Sequence, residues 1–170
     1  CGKSTLLNLA AGLLEPTSGT IKFTEVEESR QPRMSIVFQE TGLFPWRSVA
    51  ENVAFGLEAE GFPAEKRKER IAHYIELVGL KGFEKSYPHQ LSGGMRQRVG
   101  IARALAIEPD ILLMDEPFSA LDAQTRTIMQ EELVTLWEKT RLTTLYVTHN
   151  IQEAVMLADR VVLLSRRPGK

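Results

Sequence analysis

Residues 92–107 begin with a serine and two glycines and continue as a run of helix-forming residues. Ser92 is a preferred N-cap type, and Gly93 and Gly94 leave the first backbone N–H groups of the predicted helix uncovered. Uncovered N–H groups and the helix dipole attract anions. The segment therefore predicts a binding position for a phosphate or another anion, the alternative being an ordinary glycine-rich loop.

Two adjacent carboxylates follow this helix, after a break at a proline and an aspartate. Ile111–Met114 is an apolar run with the length of a buried parallel strand, and it leads directly into Asp115 and Glu116. Ligands of open α/β sheets bind at the carboxyl ends of the strands. We therefore expect Asp115 to hold a metal ion and Glu116 to act as a base, the alternative being a solvent-exposed turn.

The first residues of the chain match the end of a phosphate-binding loop. Cys1–Thr5 reads CGKST, as in the pattern G-x-x-x-x-G-K-[ST], and an apolar helix follows. In such loops backbone N–H groups surround the phosphates, Lys3 reaches the β- and γ-oxygens, and the Ser4 hydroxyl binds Mg²⁺. Gly2 and Thr5 are expected to add phosphate contacts. Alone this motif is equally an ordinary helix start, but the carboxylates downstream favour the phosphate loop.

Two further polar side chains follow predicted strands. Gln39 comes directly after Met34–Phe38, and His149 comes directly after Thr143–Thr148. A neutral amide at a strand end can ligate Mg²⁺ and position a water molecule, the alternative being a loop glutamine in solvent. Because ligands collect at the carboxyl ends of parallel strands, we expect Gln39, the two carboxylates and His149 to form one site.

The remaining elements are predicted around these residues. Alternating polarity predicts a strand over 20–23, a polar composition predicts a surface loop over 24–33, and a final strand is predicted over 161–164. A long amphipathic helix is predicted over 123–141. The helical pattern over roughly residues 48–108 indicates a helical subdomain inserted into an α/β core with a mainly parallel sheet.

Bulk composition excludes several classes of protein. The 170 residues carry a net charge of −1 with dispersed lysines and arginines, so no nucleic-acid partner is expected. No apolar run approaches the ~20 residues of a membrane-spanning helix. The single cysteine, Cys1, excludes an internal disulfide and suits a reducing cytoplasm. Leu43–Trp46, four large residues around a proline break, predict either a local core or an apolar surface for a partner.

Together these motifs resemble the ATP-binding subunits of ATP-binding cassette (ABC) transporters over essentially the whole chain. The similar segments are the end of the Walker A loop at Gly2–Thr5, the Q-loop glutamine at Gln39, the signature at Leu91–Met95, the Walker B strand and glutamate at Ile111–Glu116, the D-loop at Ser119–Asp122 and the switch histidine at His149. Asn150 stands where aspartate is more common in the family.

A narrower resemblance is to the importers of the nitrate, sulfonate and taurine type. The segments that carry it are 43–47, 91–103, 122–126 and 165–169. The family continues on both sides of the segment that this chain matches, so the resemblance implies an ATPase domain over residues 1–170 that is truncated at both ends.

The resemblance implies a P-loop NTPase fold with a RecA-like core and an ATPase that uses ATP and Mg²⁺. Ser4, Gln39 and Asp115 would hold the metal ion, Glu116 would polarise the attacking water, and His149 would contact the γ-phosphate. The nucleotide-binding residues would be Gly2, Lys3, Ser4, Thr5, Ser92, Gly93, Gly94 and Asp122.

The implied partners are a second ATPase subunit, which completes two shared ATP sites, and transmembrane permease subunits contacted through residues 39–50. A solute-binding protein takes part indirectly, and the expected location is the cytoplasmic face of the cell membrane. Two alternatives remain at this stage: a soluble ABC ATPase that does not transport, and a nucleotide-binding fragment without turnover.

Overall fold

The computed structural model of the protein describes residues 2–23, 32–119 and 121–166. Its α-helices are α1 (Lys3–Ala10), α2 (Val49–Ala59), α3 (Ala64–Leu77), α4 (Gly93–Ala106), α5 (Ala123–Thr140) and α6 (Ile151–Leu157). Its strands are β1 (Met34–Val37), β2 (Ile111–Asp115) and β3 (Thr143–Val147), and a short 3₁₀ turn covers Pro88–Gln90. The predicted α/β architecture is confirmed.

The three strands form one parallel sheet in the order β1-β2-β3. Val37 pairs with Met114, and Asp115 pairs with Val147, so the strands end within about one residue of each other. This register brings the segments after β1, β2 and β3 to the same edge of the sheet, which is the edge predicted to carry the site.

Both faces of the central strand are covered, which explains its uninterrupted apolar sequence. Leu112 and Met114 belong to a core cluster shared with α2, α3 and α4. Ile111 and Leu113 belong to a second cluster on the opposite face, with Leu7 of α1. Because successive side chains of a strand point to opposite faces, β2 packs against the helices on both sides of the sheet.

The layer of α2, α3 and α4 is held by apolar packing. Val53 and Leu57 of α2 and Val99 of α4 are fully buried, at 0% exposure each. Burial of such a side chain contributes about 1.5–3 kcal/mol. The backbone of α2 also approaches Ile107 closely, since a Cβ on Gly56 would lie only 2.8 Å from the Ile107 Cγ2 atom. A glycine is therefore required at this crossing.

The strands predicted over 20–23 and 161–164 do not form. In the part of the chain that the structure describes, the sheet ends at β1 and β3, and neither segment has a neighbouring strand to pair with. Val162 and Leu163 are 78% and 79% exposed. An alternating or apolar sequence is insufficient without a hydrogen-bonding neighbour, so both predictions were wrong.

Several ends of helices and strands differ by one residue from those predicted from the sequence. Phe38 and Thr148 lie just beyond their strands, and α5 ends at Thr140. The predicted loop over 24–33 falls largely on residues 24–31, which lie outside the described residues, as do Cys1, Ala120 and 167–170. None of the described helices combines the length and the apolar character needed to cross a membrane.

Candidate functional site

Ser4 and Asp115 meet at the carboxyl edge of the sheet. Ser4 lies in the first turn of α1, and its hydroxyl donates a hydrogen bond of 3.2 Å to the Asp115 Oδ1 atom at the end of β2. The two residues are 111 positions apart in the sequence. They come together because α1 packs against β2 and β3.

This pair fits a Mg²⁺ ion. Neighbouring ligands of an octahedral Mg²⁺ with bonds of about 2.1 Å are separated by roughly 3 Å, which is close to the distance between the Ser4 and Asp115 oxygens. No group of three or more His, Cys, Asp or Glu side chains that could hold a metal occurs among residues 2–23, 32–119 and 121–166. The Ser4 hydroxyl and the Asp115 carboxylate are oxygen ligands of the kind that Mg²⁺ takes.

The start of α1 is shaped to accept an anion. Gly2, the residue before the helix, has φ 106° and provides no side-chain cap for the first turn. A φ of this value is strained for residues with a Cβ atom, so glycine is needed here. Lys3, Ser4 and Thr5 form the first turn, and the N–H groups of a first helical turn are the ones that bind anions. Gly2 and the first turn of α1 thus form a helix start that can accept an anion.

Glu116 and His149 form a second pair at the same edge. The His149 Nδ1 atom lies 2.9 Å from the Glu116 Oε2 atom, and the two side chains are 67% and 22% exposed, respectively. Glu116 also has a left-handed backbone, with φ 45°. Such a conformation costs about 1–3 kcal/mol in a residue other than glycine and is concentrated at functional sites.

Local hydrogen bonds hold the strained backbone of Glu116. Its N–H donates to the Val147 carbonyl at 2.9 Å, and its carbonyl accepts from the N–H and the hydroxyl of Ser119 at 3.1 and 2.9 Å. A cavity of about 40 Å³ lies beside the pair and is lined partly by Ser119 and Asn150. This volume is sufficient for a water molecule next to a carboxylate.

Gln39 follows β1 at the same edge but contacts neither pair. It is exposed, and within the described residues no hydrogen bond of its side chain is formed. The loop that follows it is fixed by Arg103 of α4, which donates to the carbonyls of Thr41 and Gly42 at 2.7 and 2.9 Å. Burial lowers the pKa of the Arg103 guanidinium. Arg103 therefore fixes the loop that follows Gln39.

Ser92 is the N-cap of α4, as predicted, and its Oγ atom accepts a hydrogen bond of 3.2 Å from the Met95 N–H. Gly94 is packed closely against α5, since a Cβ there would lie 2.9 Å from the Thr125 Cγ2 atom. Asp122 caps α5 by accepting a hydrogen bond of 3.0 Å from the Thr125 N–H. That hydrogen bond lowers the pKa of Asp122.

Ser92, Gly93, Gly94 and Asp122 thus form one surface, which we call the signature surface. Ser4, Asp115, Glu116 and His149 form the strand-end cluster. Among the described residues, no hydrogen bond or ion pair joins the signature surface to the strand-end cluster. The structure therefore brings together the residues within each group but does not join the two groups.

Two polar residues have structural roles that were not identified from the sequence. Asn52 has 0% exposure and makes four hydrogen bonds to the backbone of residues 44–48. The available signal was a polar residue within the apolar stripe of α2. Asn150, whose role was left open, is the N-cap of α6, and its Oδ1 atom accepts from the N–H groups of Gln152 and Glu153.

Comparison with known proteins gives consistent matches. Residues 1–119 match the family described as ABC transporter. An uncharacterized ABC transporter ATP-binding protein of Methanocaldococcus jannaschii is 54% identical over 172 residues, which cover 100% of this chain and 64% of that protein. The taurine import ATP-binding protein TauB of Yersinia pestis is 52% identical over 171 residues, covering 100% of this chain and 67% of that protein.

TauB of Rhizobium johnstonii is 51% identical over 172 residues, covering 100% of this chain and 65% of that protein. The chain thus spans 64–67% of the length of these relatives. The match extends through both groups of candidate residues, and the parallel sheet with its phosphate loop is the fold of a P-loop NTPase. This chain belongs to the ABC transporter family, among its ATP-binding proteins.

Proposed function

We propose that this protein is the ATP-hydrolysing subunit of an ABC importer and couples ATP binding and hydrolysis to solute uptake. The observation that supports this most directly is the strand-end cluster, in which a hydroxyl–carboxylate pair and a glutamate–histidine pair lie at one edge of a parallel sheet. Residues 1–170 form the ATPase domain in this proposal, with residues 48–108 as its helical subdomain.

In the proposed reaction, Lys3 and the N–H groups around Gly2 and Thr5 hold the phosphates of ATP. Ser4, Asp115 and Gln39 would hold a Mg²⁺ ion, which would neutralise phosphate charge. Positioning and charge stabilisation provide most of the catalysis in phosphoryl transfer, so the protein needs few groups that react themselves.

Glu116 orients the attacking water and accepts its proton. Its carboxylate is partly buried and 2.9 Å from the His149 imidazole, so the histidine can hold it in one orientation and contact the γ-phosphate as charge is redistributed. The left-handed backbone at Glu116 aims this side chain away from the strand and towards His149.

The relatives named for taurine import support an importer with a sulfonate-type substrate, with nitrate as the related anion of the same branch. ABC importers work as complexes, so the proposed partners are a second copy of the subunit, the permease subunits and, indirectly, a solute-binding protein. The proposed location is the cytoplasmic face of the cell membrane.

An aromatic surface supports the permease contact. Phe44 packs on Phe55 and Trp46, with ring centroids 4.7 and 5.7 Å apart, and the Arg47 guanidinium lies 5.5 Å from the Phe44 and Phe55 ring centroids. Trp46 is 71% exposed. Buried Asn52 holds this loop in place through its four hydrogen bonds. An ordered, exposed aromatic surface is typical of a protein interface.

The proposal is tested with Glu116→Gln in the intact subunit, assembled with its permease in vesicles. We expect retained ATP binding, because Asp115, Ser4 and Lys3 are unchanged, and a loss of about 10²–10⁴-fold in phosphate release, because the amide is a poor base. ATP-driven uptake of labelled taurine should stop as well.

Glu131→Gln, an exposed glutamate of α5, is the matched control and should leave phosphate release unchanged. Near-normal turnover by Glu116→Gln would reject the role of Glu116 as the base. If the wild-type subunit hydrolyses ATP and drives uptake of nitrate but not of taurine, the proposed ATPase activity is supported and the proposed taurine substrate is wrong.

A further inference from the structure

Glu153 of α6 is a buried acid that the proposed reaction does not use. It is only 6% exposed, and its carboxylate accepts three side-chain hydrogen bonds. The Tyr146 hydroxyl donates at 2.9 Å and the Gln130 amide at 3.0 Å, both to Oε1. The Thr148 hydroxyl donates to Oε2. These donors come from β3, from α5 and from the loop that carries His149.

The hydrogen bonds of Glu153 close a ring around His149. The Thr148 Oγ1 atom, which donates to Glu153, also accepts a hydrogen bond of 3.0 Å from the Asn150 N–H. Asn150 in turn accepts from the Glu153 N–H at 3.3 Å. Both sequence neighbours of His149 are therefore tied to one buried residue, while the His149 side chain is 67% exposed.

Neutral hydrogen-bond donors, rather than a cation, compensate the buried charge of the Glu153 carboxylate. Among the described residues no ion pair includes Glu153. Arg126 lines the same cavity, but it donates to the carbonyls of Phe118 and Leu121. Burial, and then the neighbouring Glu153 charge, raise the pKa of Tyr146, which keeps its hydroxyl protonated as a donor. Neutral groups thus satisfy the carboxylate, and among these bonds the one from Thr148 leads directly to the residue beside His149.

We propose that Glu153 is a positioning residue that holds His149 in the orientation needed to contact Glu116 and the γ-phosphate. This inference rests on the proposed ATPase function. It assigns a role to a residue 23 positions from Gln130 and five from Thr148, outside the family motifs that sequence analysis identified.

The substitution Glu153→Gln separates positioning from packing, because it preserves side-chain volume. An amide has one acceptor oxygen and one donor nitrogen, so it cannot accept from Tyr146, Gln130 and Thr148 in the present arrangement. With the amide nitrogen facing Thr148, the amide oxygen would still accept from the Tyr146 O–H and the Gln130 N–H, but the Thr148 hydroxyl would lose Glu153 as its acceptor. The loop at His149 should therefore shift.

The experiment measures steady-state hydrolysis by the intact subunit together with NMR of labelled histidines. The chain has three histidines, and His149→Gln identifies the His149 signals by their loss. We expect Glu153→Gln to lower kcat roughly 10–100-fold, as substitution of supporting residues typically does, with KM for ATP nearly unchanged and the His149 resonances displaced.

Thr148→Val gives a second test should Glu153→Gln fold poorly, since it removes only the hydroxyl that joins Glu153 to Asn150. It should lower kcat and displace the His149 resonances in the same way. Tyr146→Phe is the matched control, because it removes a hydrogen bond to Glu153 without touching Thr148. It should lower the melting temperature with little change in kcat.

The inference is overturned if Glu153→Gln and Thr148→Val lower the melting temperature but leave both kcat and the His149 resonances unchanged. It is also overturned if Tyr146→Phe lowers kcat equally, because packing would then explain the effect. A wild-type subunit without ATP hydrolysis would reject the proposed function, whereas displaced His149 resonances in the variants would still support positioning by Glu153.

Discussion

The strand-end cluster and the signature surface are built from hydrogen bonds of different range. Ser4 and Asp115 are separated by 111 residues, and Glu116 and His149 by 33. On the signature surface, each of the two capping hydrogen bonds, at Ser92 and at Asp122, joins residues three positions apart. The first region is thus completed by the fold of one chain, whereas the second is made of helix starts.

This difference bears on how many chains make one nucleotide site. A phosphate held at α1 can use the strand-end cluster of the same chain. The N–H groups at the start of α4 are capped by the Ser92 side chain, and α4 packs mainly against α2, α3 and β1, whereas α1 packs against β2 and β3. A head-to-tail pair of subunits would satisfy both regions, since each signature surface could cover the phosphates held by the other subunit.

The largest expected effect is complementation between two inactive subunits. Lys3→Ala removes the charge that reaches the phosphates, and Ser92→Arg blocks the start of α4. Each variant alone places a defect in both sites of a dimer. In a mixed dimer, one site collects both defects and the other has none, so bound ATP should rise from near background to one nucleotide per dimer.

Tagged subunits, co-expressed and purified through both tags, allow bound nucleotide and phosphate release to be measured.

A double variant carrying both substitutions in one subunit, mixed with the wild type, controls for assembly. In that dimer each site carries one defect, so little nucleotide should be bound. If the mixed dimer of single variants instead binds no more ATP than either parent, a site shared between two subunits is contradicted. In that case α1 and the signature surface would serve one nucleotide within a single chain.

A medium effect is expected at Arg103, which joins α4 to the loop after β1. It lies on α4, the helix that begins at the signature surface, and donates to the carbonyls of Thr41 and Gly42 beside Gln39. Arg103→Met should lower the free energy of unfolding by about 2–3 kcal/mol, because hydrogen bonds from a charged group are lost and two carbonyls lose their donors. Denaturant unfolding measures this change.

Arg103→Lys is the matched control, since it keeps the charge but cannot donate to two carbonyls with a planar guanidinium. Its effect should lie between the wild type and Arg103→Met. Equal stability of Arg103→Met and the wild type would mean that the loop after β1 is held by its other contacts rather than by Arg103.

The range of the interactions also explains what the sequence could predict. The N-cap at Ser92 and the strand that delivers Asp115 depend on neighbours in sequence, and both predictions were confirmed. The segments over 20–23 and 161–164 have strand-like patterns, but a strand needs a neighbour that the pattern does not specify. The hydrogen bonds of Glu153 depend on tertiary packing, which spacing alone does not reveal.

The smallest expected effect concerns the charge of the cap at Asp122. Its pKa is lowered in the folded state because the carboxylate accepts a hydrogen bond from the Thr125 N–H. A lowered folded-state pKa means that the ionised group stabilises the fold above its unfolded pKa of about 3.9, and that this contribution is lost as the pH falls through the folded pKa. Asp122→Asn keeps a capping oxygen without the charge.

We therefore expect the melting temperatures of Asp122→Asn and the wild type to be close at pH 7. As the pH falls below about 4, the wild type should lose more of its melting temperature than Asp122→Asn, because only the wild-type side chain at this position can be protonated. Identical pH profiles would show that the charge contributes nothing to the cap. In that case the negative charge of Asp122 would have no structural task on the signature surface.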